Sequence, residues 1–372
     1  MTQRERALLP DYLRLIALFG IVIVNVQFIA FSVFEEFDPT LSGSVADIMT
    51  LWAVNALAML RTYGLFSFMF GVGLGFLMRS AARRSLPFGR IYRNRMIGLG
   101  LLGVAHGCLF FPGDILTTYA VTGAILYLFR DWPVGRLVRV GAALLVLQTI
   151  LALPLMLIPS EPIDDFIAIE QATLSAGTLV ETIIYRSMGF AITFPFILFA
   201  QGIAALGWFC LGLAAVKSGM IDNAAHPLWR RARRLCLLPG VSLSIIGEGL
   251  WLWGGAWPGA LLSLMVAPIA TLGYLGLIAL IARPPGPILA RALAAGGSSL
   301  SVYLGQSIVL STVFSAYGLG LWNAVDRFSA TAIAVLVTIV LIAFVSLWRT
   351  RFVLGPFEWV LRRITYAGVR AP

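Results

Sequence analysis

The sequence predicts an all-α, polytopic integral membrane protein with about ten transmembrane helices and both termini cytoplasmic. Three observations carry this. Of the 372 residues, 59% are hydrophobic and 12% are charged, whereas soluble domains carry about a quarter charged residues. Mostly apolar runs of 18 or more residues recur along the whole length, as bilayer-crossing helices require. The basic residues gather in alternate connections, the pattern of a polytopic chain obeying the positive-inside rule.

The predicted spans are about 12–34, 61–78, 94–111, 114–129, 134–158, 189–216, 232–253, 258–282, 297–318 and 328–348. The first run, Tyr12 to Phe34, is too long for a signal-peptide core and has no convincing cleavage site, so it reads as the first span. Residues 44–60 read as an amphipathic helix on the outer surface, or as an earlier start of the second span. Arg4, Arg6 and Arg14 sit at the N-terminus, and the connection after span two is RSAARRSLPFGRIYRNR. Basic connections follow spans four and six, and arginines fill the tail beyond residue 348. The intervening connections are acidic, with EEFDPT after span one and SEPIDD after span five. Residues 1–372 form one transmembrane domain, of which 349–372 is a cytoplasmic amphipathic tail. The longest outer connection, 159–188, is expected to hold a short helix, with Asp164, Asp165, Glu170 and Glu181 keeping a surface solvated. The net charge of +10 follows topology, so nucleic acid is not expected. Cys108, Cys210 and Cys236 form no CxxC and read as small core residues.

Ionisable groups inside spans are costly and mark candidate functional positions. Asp11 follows Pro10 and can cap the first helix, with Arg14 three residues on, snorkelling towards the interface. Asn25 lies mid-span, where an amide needs a partner. Arg61 begins span two on the side that charge should avoid, so a carboxylate partner is expected, with Asp114 or Glu36 as candidates. Gly71, Gly73 and Gly75 permit close helix approach. In HGCLFFPGDILTTYA (106–120), His106 precedes a Phe-Phe-Pro-Gly break and Asp114 opens the next span. Two readings stay open: a helix cap beside an interior histidine, or a functional pair. His226 reads as solvated. Ser299, Tyr303 and Gln306 follow i, i+4, i+7 spacing and form one polar stripe. Gln148, Gln201 and Glu248 are isolated polar points, and Glu248 needs water or a cation.

At these residues a resemblance appears. PDYLRLIALFGIVIVNVQ, HGCLFFPGDILTTYA, SSLSVYLGQSIVLSTVFSAYGLGLW and GPFEWVLRRITYAG resemble, in order, the opening, the His…Gly-Asp-Ile-Leu segment and the C-terminal motifs of the YeiB-type membrane proteins. Leu15 stands where that family usually has glycine. The family is similar to the transmembrane acyltransferases, which include heparan-α-glucosaminide N-acetyltransferase and the bacterial acyltransferase-three proteins. The resemblance implies transfer of an acyl group from a cytoplasmic thioester, usually acetyl-CoA, to an acceptor across the membrane. In the acyltransferase-three proteins an arginine, ten residues and a catalytic histidine stand in sequence. Here Arg14 and ten residues are followed by Asn25, which leaves His106 as the one membrane histidine able to serve.

Acyl transfer needs a base near neutral pKa, a group to orient it and donors for the oxyanion. The expected roles are His106 as base or transient acyl carrier, Asp114 as its orienter, and Asn25 with Tyr303 or Gln306 as hydrogen-bond donors. Arg14, Arg83, Arg84, Arg93 and Arg95 are expected to meet the CoA phosphates. Arg61, Tyr303, Gln306 and Ser299 are expected around the substrate. Neither a metal nor a permanently bound cofactor is expected. The implied partners are membrane lipids, an acyl-CoA donor and an acceptor that is a glycan, lipid or small molecule, with a homodimer as an open alternative. The implied location is a bacterial cytoplasmic (inner) membrane. The competing class is a transporter or flippase of a small polar or amphipathic substrate, because polar stripes suit a translocation path equally well.

Overall fold

The computed structural model describes residues 8–32, 44–156 and 164–369, and among these it is all helix, without strands. The helices are α1 (Leu9–Ala30), α2 (Val45–Leu57), α3 (Arg61–Arg83), α4 (Phe88–Leu109), α5 (Leu116–Leu128), α6 (Val134–Met156), α7 (Asp164–Ala176) and α8 (Leu179–Lys217). They continue as α9 (Pro227–Ala232), α10 (Leu238–Gly254), α11 (Trp257–Ile281), α12 (Pro287–Gly296), α13 (Ser299–Phe314), α14 (Arg327–Trp348) and α15 (Pro356–Thr365). A short π-helical stretch, Arg233–Leu237, joins α9 to α10.

Each of the ten predicted segments falls on a helix. Among the described residues seven helical runs are long and apolar enough to cross a membrane, or up to eight if α12 and α13, bent by 83°, form one span. The predicted fourth segment is the short apolar helix α5, Leu116–Leu128.

The start of α8 differs from expectation for a local reason. α8 runs for 39 residues, roughly 58 Å at 1.5 Å per residue, far beyond a ~30 Å hydrocarbon core. Charged Glu181 and Arg186 suggest a later start, but Thr178 and Glu181 form a reciprocal capping box that begins the helix at Leu179. The short helix expected in the preceding connection is α7. Its Glu170 is buried rather than solvated: it meets the Ser32 hydroxyl and accepts from Tyr185 Oη at 3.2 Å. α2 packs against α10 and α14 and buries Leu51, Val54 and Asn55, so it is not simply a surface helix.

Between apolar helices in lipid there is little hydrophobic drive, so packing geometry decides association. α1 is the hub, touching α3, α12, α13 and α14. α3 and α8 approach through glycine. A Cβ on Gly71 would collide with the Phe209 carbonyl, and one on Gly212 with the Phe68 carbonyl. Gly73 meets nothing within 4 Å and instead faces a hollow.

The tail is docked helix. α15 packs on α4 and α13, and Glu358 caps α13: its Oε1 accepts from Leu300 N at 2.7 Å and Ser301 N at 3.0 Å, while Oε2 accepts from Ser301 Oγ at 2.5 Å. This explains the Gly-Pro-Phe-Glu-Trp motif, with Pro356 at the helix start and Glu358 turned back onto α13. Glu358→Ala is expected to destabilise the protein by about 0.5–2 kcal/mol, the range of a lost helix cap. Thermal unfolding in detergent, read with protease sensitivity of the tail, checks this.

Candidate functional site

The HGCLFFPGD segment turns α4 into α5. α4 ends where Phe110 and Phe111 both donate to the His106 carbonyl, at 2.9 and 3.0 Å. Pro112 and Gly113 then reverse the chain. The two helices close so tightly that a Cβ on Gly103 would strike Thr117 and approach Asp114 Oδ2 at 2.8 Å.

This reversal brings His106 and Asp114 together. His106 Nδ1 lies 2.8 Å from Asp114 Oδ1, with both side chains almost wholly buried. Asp114 Oδ2 accepts from Thr117 N at 2.9 Å and Thr117 Oγ1 at 3.1 Å. Asp114 therefore meets His106 through Oδ1 and holds the start of α5 through Oδ2. A carboxylate only accepts, so Nδ1 is the donor to it; in the neutral imidazole Nε2 then carries the lone pair, and Nε2 is buried without a hydrogen-bond partner among the described residues. Buried polar atoms are rarely left unpaired, and a histidine oriented through Nδ1 with Nε2 open has the arrangement of a general base.

Tyr303 packs beside the imidazole at a tilt of 50°, ring centroids 5.3 Å apart. On another side His106 meets the rings of Phe110 and Phe111. Tyr303 also lines a hollow of about 170 Å³ enclosed by α1, α3, α4, α5 and α13. At one end of it stand Arg14, Arg95 and Ser299, and at the other Tyr63, Ile115, Tyr119 and Tyr303. Tyr119 and Ser67 share a 2.7 Å hydrogen bond there. Arg14 lies 3.3 Å from Asp11. Arg95 is half-buried, with no carboxylate at ion-pair distance among the described residues.

Several expected residues stand elsewhere. Asn25 is buried, yet it has no hydrogen bond to His106, Tyr303 or Gln306 and does not line the hollow. Arg14, Ala17 and Ile21 line it along one face of α1; Asn25, the next position on that face, falls past its end. Gln306 is a bolt between helices, its Nε2 donating to the Leu18 carbonyl at 3.2 Å and Thr338 Oγ1 at 2.9 Å. Arg83, Arg84 and Arg93 are exposed and off the hollow. Arg61 is fully buried, but it does not pair with Asp114. Its Nη2 donates to Ser244 Oγ at 2.5 Å and Ser263 Oγ at 2.9 Å, and its Nη1 to the Asn55 and Met59 carbonyls. The carboxylate that feels its charge is the buried Glu248, which forms no direct ion pair with it. Glu36, the other candidate, lies outside the described residues. His226, read as solvated, is half-buried and caps α9 by accepting from Leu228 N at 3.3 Å.

Sequence reasoning did not single out Tyr63, Tyr119 or Arg186. Tyr63 lines the 170 Å³ hollow and also a second one of about 240 Å³, which carries Arg186. The signal available for Arg186 was an arginine followed by a long apolar run, masked by reading it as part of a connection.

Residues 215–368 match the family described as "Protein of unknown function (DUF418)". YxaH of Bacillus subtilis (strain 168), an uncharacterized protein, is 27% identical over 391 residues, covering 97% of this chain and 94% of its own. YeiB of Escherichia coli (strain K12), also uncharacterized, is 29% identical over 388 residues, covering 97% and 96%. An uncharacterized 39.9 kDa protein of Bacillus acidopullulyticus is 26% identical over 379 residues, covering 97% and 94%. No solved structure matches the chain. The DUF418 match covers the C-terminal part of the chain, and the relatives, YeiB of Escherichia coli among them, are similar to it almost end to end.

Proposed function

We propose that the protein is a membrane-embedded acyltransferase that moves an acyl group, acetyl in the simplest case, from a cytoplasmic CoA thioester to an acceptor on the outer side. The observation that carries this reading is the buried His106–Asp114 pair with Nε2 unpartnered, set beside a hollow whose far end holds two arginines. The topology that goes with it has ten spans, both termini cytoplasmic, in a bacterial cytoplasmic membrane. Arg14 and Arg95 then face the cytoplasm, and the α4–α5 reversal lies towards the outer leaflet.

His106 Nε2 takes the proton of the acceptor hydroxyl or amine as that oxygen or nitrogen bonds to the thioester carbonyl carbon. The C–S bond breaks, and the imidazolium returns the proton to the departing thiolate. Asp114 holds the tautomer and stabilises the imidazolium. The Tyr303 hydroxyl is the nearest candidate donor to the oxyanion. Arg14 and Arg95 bind the phosphates of the CoA moiety.

Purified protein in detergent, given acetyl-labelled CoA, is expected to hydrolyse the thioester slowly, with water in the place of the acceptor. Binding without any chemistry would overturn the enzyme reading and favour a transporter. Arg14→Ala and Arg95→Ala are expected to raise KM for acetyl-CoA by roughly tenfold or more, the value of a charge-assisted contact. Arg83→Ala and Arg84→Ala, exposed and off the hollow, are expected to leave it near the wild-type value.

A further inference from the structure

We infer that the second hollow binds a single-chain lipid whose head carries an anionic group together with hydroxyls. This hollow, of about 240 Å³, lies between α1, α7, α8 and the α4–α5 reversal. Phe28, Phe111, Phe196 and Ile197 give it apolar walls suited to an acyl chain. Phe196 is 58% exposed and Ile192, one turn before it, is 63% exposed. Both lie on the apolar outer face of α8, so the hollow opens sideways towards lipid rather than towards water.

Its polar end is unusual. Arg186 is 4% exposed, and its guanidinium donates only to neutral oxygens: the Leu109 carbonyl at 3.2 Å, Tyr317 Oη at 3.2 Å and Ser315 Oγ at 2.6 Å. No carboxylate lies at ion-pair distance from Arg186 among the described residues. Buried charges are ordinarily paired, so a guanidinium held this way in the wall of a hollow points to an anion supplied from outside. Glu170 stands at the same end, where it accepts from Tyr185 at 3.2 Å and meets the Ser32 hydroxyl; a carboxylate has about four lone-pair sites, so a head that brings its own hydroxyls suits this surrounding better than a bare second anion. A phosphate for Arg186 with hydroxyls beside it describes a glycerophosphate-type head.

The hollow touches the same reversal that carries Asp114, and Tyr63 lines it as well as the arginine-ended hollow. The bound lipid is therefore placed to be the acceptor; this clause rests on the acyl-transfer reading, whereas the binding site itself does not.

The test measures retention of radiolabelled lysophosphatidylglycerol by the full-length protein in detergent, against monoacylglycerol of the same chain length and against inorganic phosphate. Lysophosphatidylglycerol is expected to bind best, and phosphate alone poorly. Arg186→Gln is expected to weaken its binding roughly tenfold and to bring it level with monoacylglycerol. Because Arg186 also ties α8 to neighbouring segments, Gly189→Leu provides a second variant. Gly189 lines the hollow, and its added Cβ meets only Pro112, at 3.5 Å, so the new side chain fills the space while Arg186 stays in place. It is expected to abolish retention of both lipids. Equal binding of the two lipids by the wild type, or unchanged binding in Gly189→Leu, overturns the site. His106→Ala is expected to bind lipid as the wild type does. Lipid binding without acetylation from acetyl-CoA would sustain the site and remove the acceptor role; acetyl transfer undiminished in a Gly189→Leu variant that no longer retains lipid would likewise remove the acceptor role and leave the site standing.

Discussion

His106→Ala is expected to lower acetyl-CoA turnover a hundredfold to ten-thousandfold, the usual range for a lost general base. The variant is expected to fold, because the imidazole's hydrogen bond is a single one, to Asp114. Asp114 keeps its two bonds to Thr117 in the variant. Asp114→Asn is the sharper test. Its amide oxygen can still accept from Thr117 N, so α5 keeps its cap and the protein its melting temperature. An amide, however, no longer holds the proton on Nδ1 or stabilises the imidazolium, so a loss similar to that of His106→Ala is expected. Asp114→Ala would strip three buried donors of their acceptor, each costing about 1–3 kcal/mol, and would confuse stability with chemistry. Turnover near wild type in both His106→Ala and Asp114→Asn would exclude the pair from catalysis.

The second large effect falls on stability. Arg61 is fully buried where α3 begins, and Leu60 before it is held at φ 62°, in the left-handed region. The guanidinium ties α3 to Ser244 of α10 and Ser263 of α11, and the buried Glu248 of α10 is the carboxylate that feels its charge. Arg61→Ala strips several buried acceptors of their donor, each costing about 1–3 kcal/mol. A large fall in thermal stability is expected from Arg61→Ala, and a comparable one from Glu248→Ala. The double variant Arg61→Ala with Glu248→Gln is expected to lose less than the sum, since no uncompensated charge remains. Additive losses would show that the two groups do not sense one another.

Much of the architecture was legible in the chain, and the reason is local. An apolar run of sufficient length must become a helix in lipid, since no other segment pairs its own backbone groups. All ten predicted segments accordingly fall on helices. The His106–Asp114 pair was legible as a possibility, because a Pro-Gly break between two residues eight apart can fold the chain back on itself. Arg14 was found by the same local reasoning, and it does line the hollow.

Partnership was not legible. Asn25 and Gln306 carry similar amides at mid-helix positions, and nothing in their neighbours says which one faces a hollow; the structure places neither there. Gln306 bonds to α1 and α14, and Arg61 to α10 and α11, across separations of 32 to 288 residues. Glu170 looked solvated because it lies in an acidic connection with Asp164, Asp165 and Glu181, yet Ser32 and Tyr185 meet it.

The sequence by itself determined that the chain is a bundle of apolar helices, where most of them begin and end, and which few polar residues they carry inward. These follow from composition, periodicity and caps, which act over a turn or two of helix. The tertiary structure alone decided which polar groups meet. Glycine contacts such as Gly71 on Phe209 and Gly103 on Thr117 set how closely and at what rotation the helices pack. That rotation aims His106 at Asp114, Arg61 at Ser263 and Arg186 into a hollow, and it depends on surfaces far apart in the chain.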